Sequence, residues 1–140
     1  MAAKLDRGLL LYVKHTGTPR GRGVYAARSF LKGEVVEIAP VIVFNKGRLP
    51  IKLATVVYEW ESSVDSPYST AIALGYGSLY NHANPANLVY VSDGAALVII
   101  YFASRNIRRN EELTINYSAA IGHCSPTKDR WFSKHRIKRL

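Results

Sequence analysis

Asn81-His82-Ala83-Asn84-Pro85-Ala86-Asn87 is the stretch on which the reading of this chain turns. An asparagine and a histidine stand side by side between apolar flanks, Leu79 and Tyr80 before, Leu88 to Tyr90 after. Taken alone, the segment is an Asn/Pro turn between two short strands. It makes a poor metal site, because no second His or Cys lies at ligand spacing and no carboxylate adjoins His82. A lone histidine in such a place is more often structural than a base, so its meaning depends on its neighbours in the chain.

Upstream, Gly21-Arg22-Gly23-Val24-Tyr25-Ala26 satisfies the dinucleotide-binding pattern G-x-G-x-x-A, with Glu37 at a tolerable distance as its acid. The context fails. That pattern should follow its strand directly and open a crossover helix, whereas here a loop precedes it and another turn follows closely. Two glycines around one residue still let main chain approach a ligand. Downstream, Glu111-Glu112-Leu113-Thr114-Ile115-Asn116-Tyr117 reads as a short strand closed by a tyrosine, which by itself is ordinary amphipathic packing.

Around these motifs the chain alternates short β-prone runs with turns. Residues 8–15, 24–30 and 35–44 read as strands, the last bent or at an edge because of Pro40. Residues 53–61 and 69–74 read as two short helical pieces, although Thr55, Val56 and Val57 weaken the first. Residues 88–91 and 96–103 are strands about a turn at Ser92-Asp93-Gly94, and residues 113–117 are the last short strand. The expected fold class is mainly β with a small helical insertion at about 45–74, in one domain over residues 1–140.

Composition narrows the classes further. At 48% hydrophobic residues, the 140-residue chain can bury a real core and is not a disordered tail. No apolar run approaches the roughly 20 residues of a membrane span, and residues 1–7 lack a secretory signal, so no membrane partner is expected. One cysteine, Cys124, can form neither an internal disulfide nor a cysteine-rich zinc site. The net charge of +9 favours anionic partners, and six basic residues against one acid in residues 128–140 make that segment a candidate DNA contact.

The order and spacing of the three motifs resemble the motif series of the SET domain. Gly21-Arg22-Gly23-Val24-Tyr25-Ala26-Ala27-Arg28-Ser29-Phe30-Leu31-Lys32-Gly33-Glu34-Val35-Val36 is similar to that family's opening strand pair. Ala73-Leu74-Gly75-Tyr76-Gly77-Ser78-Leu79-Tyr80-Asn81-His82 is similar to the approach to its cofactor site, and the likeness runs from about residue 9 to 117. The compact type is the nearest, represented by a chlorella-virus histone methyltransferase and short bacterial SET proteins without zinc-binding flanks. Two departures stand out: Ala83 replaces the usual serine after Asn-His, and Pro85 comes one place early before Asn87.

The resemblance implies short curved, β-clip-like sheets with a C-terminal pseudoknot, and methyl transfer from S-adenosylmethionine to a protein lysine, releasing S-adenosylhomocysteine. No metal is implied. Carried over by position, Gly21, Arg22, Gly23, Asn81, His82, Tyr117 and Trp131 would bind the cofactor. Tyr117 would be the catalytic residue, and Tyr58, Tyr76, Ile115, Tyr117 and Phe132 would line the lysine channel. Ile115, where relatives often carry Phe or Tyr, would leave room for more than one methyl. The implied substrate is a protein, with a histone or nucleoid protein as the candidate, and a homodimer is implied because short members of the family can pair. The location would be cytoplasmic in a bacterium, and nuclear or chromatin-associated for a viral protein or one delivered into a eukaryotic host. Two rival readings are a catalytically inactive SET-fold binding module and a basic nucleic-acid-binding protein resting on charge alone.

Overall fold

The computed structural model describes residues 9–45, 53, 56–60, 69–117, 119–120 and 123–124. Its strands are β1 (Leu11–His15), β2 (Arg22–Ala26), β3 (Val35–Asn45), β4 (Tyr58–Trp60), β5 (Ser69–Ala73), β6 (Asn81–His82), β7 (Leu88–Asp93), β8 (Val98–Ala103), β9 (Glu112–Ile115), β10 (Ala119–Ala120) and β11 (His123–Cys124). They form a four-stranded sheet in the order β1-β2-β9-β6 and a seven-stranded sheet in the order β10-β11-β7-β8-β3-β5-β4.

The smaller sheet positions all three motifs. β1 and β2 form a hairpin about the glycine loop, pairing Leu11 with Ala26 through His15 with Arg22. β2 then pairs with β9, and β9 runs parallel to β6, placing Asn81 opposite Thr114 and His82 opposite Ile115. A parallel pair needs a crossover. Here the chain leaves β6, builds the β7–β8 hairpin of the other sheet, and returns as β9. That return brings the Asn81–His82 segment and the strand leading to Tyr117 side by side.

The larger sheet shows the period-2 pattern of a half-buried sheet. In β8, Ile99, Tyr101 and Ala103 are buried while Val98, Ile100 and Phe102 are only partly covered. Pro40 falls where β3 changes partner: residues 35–40 pair with β8 and residues 41–45 with β5. A strand that bends from one neighbour to the next is a place where proline is tolerated. Tyr80, Tyr101, Phe30, Leu88, Ile99, Ile107, Leu113 and Val24 are fully buried, each contributing about 1.5–3 kcal/mol of hydrophobic stabilisation.

The helical insertion is corrected. Residues 69–73 form β5 and residues 58–60 form β4, no α-helix occurs among the described residues, and residues 46–52, 54–55 and 61–68 of the insertion lie outside them. The long β3 extends beyond β8, and its unpaired half recruits β5, which recruits β4. Pairing and burial override a local helical preference that Thr70 and Ile72 never strongly supported.

Candidate functional site

The glycine loop is held in shape before any ligand is considered. The Thr16 N–H and hydroxyl both donate to the Gly21 carbonyl at 2.8 Å, and the Gly21 N–H donates to the Thr18 carbonyl at 3.1 Å. Gly21 has φ of 77°, a conformation that favours glycine, and open space surrounds the place of a Cβ. Gly23 is a glycine for a different reason. A Cβ there would run into Glu112 Oε1, with Thr16 and Asn81 close behind.

Asn81 joins the three motifs. Its Nδ2 donates to the Arg22 carbonyl at 3.0 Å and to Glu112 Oε1 at 2.7 Å, tying β6 to both β2 and β9. Arg22 is exposed at the start of β2, so its contribution to this cluster is its main chain. His82 is buried, and its Nδ1 accepts the Tyr117 N–H at 3.0 Å. The two rings lie 5.2 Å apart between centroids. The Tyr117 hydroxyl donates to the Tyr80 carbonyl at 2.9 Å. Tyr117 is therefore held at its main chain by the histidine and at its hydroxyl by the residue before Asn81.

Asn87 fastens the loop after β6 to β9. Its Nδ2 donates to the Glu112 carbonyl at 2.8 Å and its Oδ1 accepts the Thr114 N–H at 2.8 Å, while its own N–H donates to Thr114 Oγ1 at 3.3 Å. Asn81, six residues earlier in the same stretch, holds the same end of the strand through the Glu112 side chain. The proline's early position leaves this grip intact.

Burial raises the pKa of the Tyr117 phenol above its usual range; Arg20 opposes the shift and Glu112 reinforces it. The shift favours the protonated phenol.

The expected residues separate into three groups. Gly21, Arg22, Gly23, Asn81, His82 and Tyr117 come together on or next to the adjacent strands β2, β9 and β6, with hydrogen bonds joining Asn81 to Arg22 and Tyr117 to His82. Ile115 is buried on β9 in register with His82, and Tyr76 is half-buried in the turn after β5, its hydroxyl pointing to the Leu11 carbonyl at 3.4 Å. Tyr58 is a core residue: its hydroxyl donates to the Gly77 carbonyl and accepts from the Tyr101 hydroxyl at 2.8 Å. Trp60 is likewise buried. Trp131, Phe132 and the basic segment 128–140 lie outside the described residues. Glu112 and Tyr80 were missed from the sequence. Glu112 looks like one more acid of a charged turn, and Tyr80 contributes here by a carbonyl that every residue has.

A family model described as the SET domain matches residues 21–118, which include the whole cluster. The chain belongs to the SET-domain family. This SET domain is 34% identical, over 98 residues, to a Schizosaccharomyces pombe histone-lysine N-methyltransferase specific for H3 lysine 37, across 70% of this chain and 67% of that relative. Its fold superposes on a histone methyltransferase structure from Plasmodium falciparum with a TM-score of 0.64 and 26% identity, covering 79% of this chain and 94% of the other. KRYPTONITE, solved with methylated DNA, a histone H3 peptide and S-adenosylhomocysteine, shares the fold at a TM-score of 0.58 and 21% identity, over 79% of this chain and 23% of its own.

Proposed function

We propose that this chain is a protein-lysine methyltransferase acting on a histone, with Tyr117 as its catalytic residue. SET-domain methyltransferases use S-adenosylmethionine, and lysine methylation is the activity this family membership carries. The single observation that supports Tyr117 most is its double tether, to His82 Nδ1 and to the Tyr80 carbonyl.

The donor set fits the methionine end of S-adenosylmethionine. Both Asn81 amide hydrogens are taken by Arg22 and Glu112, which leaves Oδ1 to accept from an ammonium. Arg20 and Arg22 bring positive charge for a carboxylate, and the main chain at Gly21 is open to close approach. When bound, the cofactor supplies a methyl group on a positively charged sulfur. The protein's own part is positional. A lysine amine, with an ordinary pKa of about 10.4, must arrive neutral, and desolvation beside a cation favours that form. The Tyr117 hydroxyl gives its hydrogen to the Tyr80 carbonyl, and in this reading its oxygen serves the amine as an acceptor. Orienting two reactants in this way is the main source of acceleration in a displacement of this kind.

The histone assignment draws on the relatives' activities, and on a strongly basic segment at 128–140 suited to DNA beside the substrate. Tyr76 and Ile115 border the lysine path in this reading. The test is incubation of the full chain with isotope-labelled S-adenosylmethionine and recombinant histones, read by mass spectrometry. Label on a histone lysine, falling on the order of 10²-fold in Tyr117→Phe, is expected. Labelling of other proteins but never histones would remove the substrate assignment, and an undiminished Tyr117→Phe enzyme would remove the role of Tyr117.

A further inference from the structure

Beneath the site lies a carboxyl group that the chemistry above does not use. Glu37 stands on β3 opposite Tyr101, whose side chain is fully buried. It faces inward with Ala39 and Val41, two and four residues further along the strand, and the register shift between Val35 and Glu37 lets Val36 be buried beside it. Such bulges re-aim side chains, frequently next to active sites.

Both oxygens of Glu37 are committed to one segment. Oε1 accepts the Tyr80 hydroxyl at 2.6 Å and Oε2 accepts the Tyr76 N–H at 2.9 Å. The carboxyl thus grips the first and last parts of the run from Tyr76 to Tyr80, which leads directly into Asn81 and His82. Close approach is built into the main chain. Gly75 has φ of 65°, and a Cβ at this position would stand 2.6 Å from Glu37 Oε2. The far end of the run carries the Tyr80 carbonyl that receives the Tyr117 hydroxyl.

We propose that Glu37 is a positioning residue for methyl transfer: by fixing the Tyr80 ring and the Gly75–Tyr76 turn, it sets where the Tyr80 carbonyl holds the Tyr117 hydroxyl. The inference rests on the methyltransferase reading above. Stability alone does not account for the arrangement. Placing a carboxyl group among Tyr76, Tyr80 and Tyr101 is unfavourable, and burial indeed lifts its pKa while the two hydrogen bonds pull it back. An apolar side chain with Phe at position 80 would fill the same space without that penalty. What the carboxyl adds is geometry: two donors, four residues apart, held at fixed places. Glu37 acts on Tyr117 through the main chain of Tyr80, two steps removed from the reacting atoms.

The test compares Glu37→Gln and Tyr80→Phe with the parent full chain. Four quantities are read: kcat and KM on a histone, calorimetric affinity for S-adenosylhomocysteine, the thermal midpoint, and the Tyr117 signal in protein labelled with 13C at the tyrosine ζ carbon. Tyr117→Phe identifies that signal by its loss. Each variant is expected to lose about tenfold or more in kcat, with KM and cofactor affinity within about threefold of the parent, and to shift the Tyr117 signal. The double variant should be no slower than the worse single one, since both break one link. A folded Glu37→Gln enzyme with parental kcat and an unmoved signal overturns the proposal. So does a parallel fall of kcat, affinity and thermal midpoint in both variants, which makes the role structural. Should the parent methylate nothing, the methyltransferase reading fails separately, and the Tyr117 signal still decides for or against the link to Glu37.

Discussion

Asn81 shows how much one side chain can do when it stands where three strands meet. Its amide group bridges the Arg22 carbonyl and the Glu112 carboxylate, so the glycine loop, β6 and β9 are placed relative to one another by two hydrogen bonds. The same bonds decide which atom is left for a ligand, namely Oδ1. Asn81→Ala should therefore weaken S-adenosylhomocysteine binding by about 10- to 100-fold, the range for losing a hydrogen bond to a charged group. The main-chain pairing of β6 with β9 remains, so the thermal midpoint should fall by only a few degrees. Calorimetry and a melting curve on the same sample check both halves. Unchanged affinity would remove Asn81 from the cofactor site.

At the scale of the element, β9 is the strand on which the site is hung. It is paired on one side with β2 and on the other with the two-residue β6, which is too short to hold it alone. Asn87 makes up the difference by satisfying the Glu112 carbonyl and the Thr114 N–H from the adjoining loop. Asn87 is 3% exposed, so its removal leaves both groups without a partner away from water. Asn87→Ala should cost about 2–6 kcal/mol in urea unfolding, at about 1–3 kcal/mol for each stranded group. Ile42→Thr, on the outer face of β3 at 49% exposure, is the contrasting variant and should change stability by less than about 1 kcal/mol. Equal effects from the two would mean that the Asn87 bonds do not carry β9.

Across the whole molecule, the core is unusual in being built around phenols. Tyr80 and Tyr101 are buried with ring centroids 4.8 Å apart, and Tyr90 and Tyr58 pack around them. Burial pushes the pKa of Tyr80 well above the ordinary phenol range, with the nearby Glu37 adding to the shift, and burial does the same for Tyr101. Folded values raised above unfolded ones mean that this contribution is fully present below about pH 10. It is lost as pH climbs, because the unfolded chain ionises first. Each such phenol steepens the alkaline loss by about 1.4 kcal/mol per pH unit while it stays protonated only in the folded state. Urea midpoints between about pH 9 and 11.5 should fall steeply, and less steeply in Tyr80→Phe. Identical slopes in parent and variant would show that Tyr80 is not held neutral.

Local pattern was enough for most of the strands and for the order of the motifs. The apolar run at residues 96–103, the glycine loop, and the spacing from Asn81 to Tyr117 all belong to short-range rules of backbone and burial. The resemblance they carried named the family that the match over residues 21–118 established. Other features were decided only in three dimensions. Residues 58–60 and 69–73 became strands because β3 offered an unpaired edge, a partner distant in sequence. Tyr58, a candidate for the lysine channel, was drawn into the core by the Gly77 carbonyl and Tyr101. Glu112 and Tyr80 became part of the site through a parallel pairing that joins positions 31 or more residues apart, which no local periodicity encodes. The Asn81–His82 pair with which the reading began marks the family by its sequence, whereas its hydrogen-bond partners exist only because β9 returns beside β6.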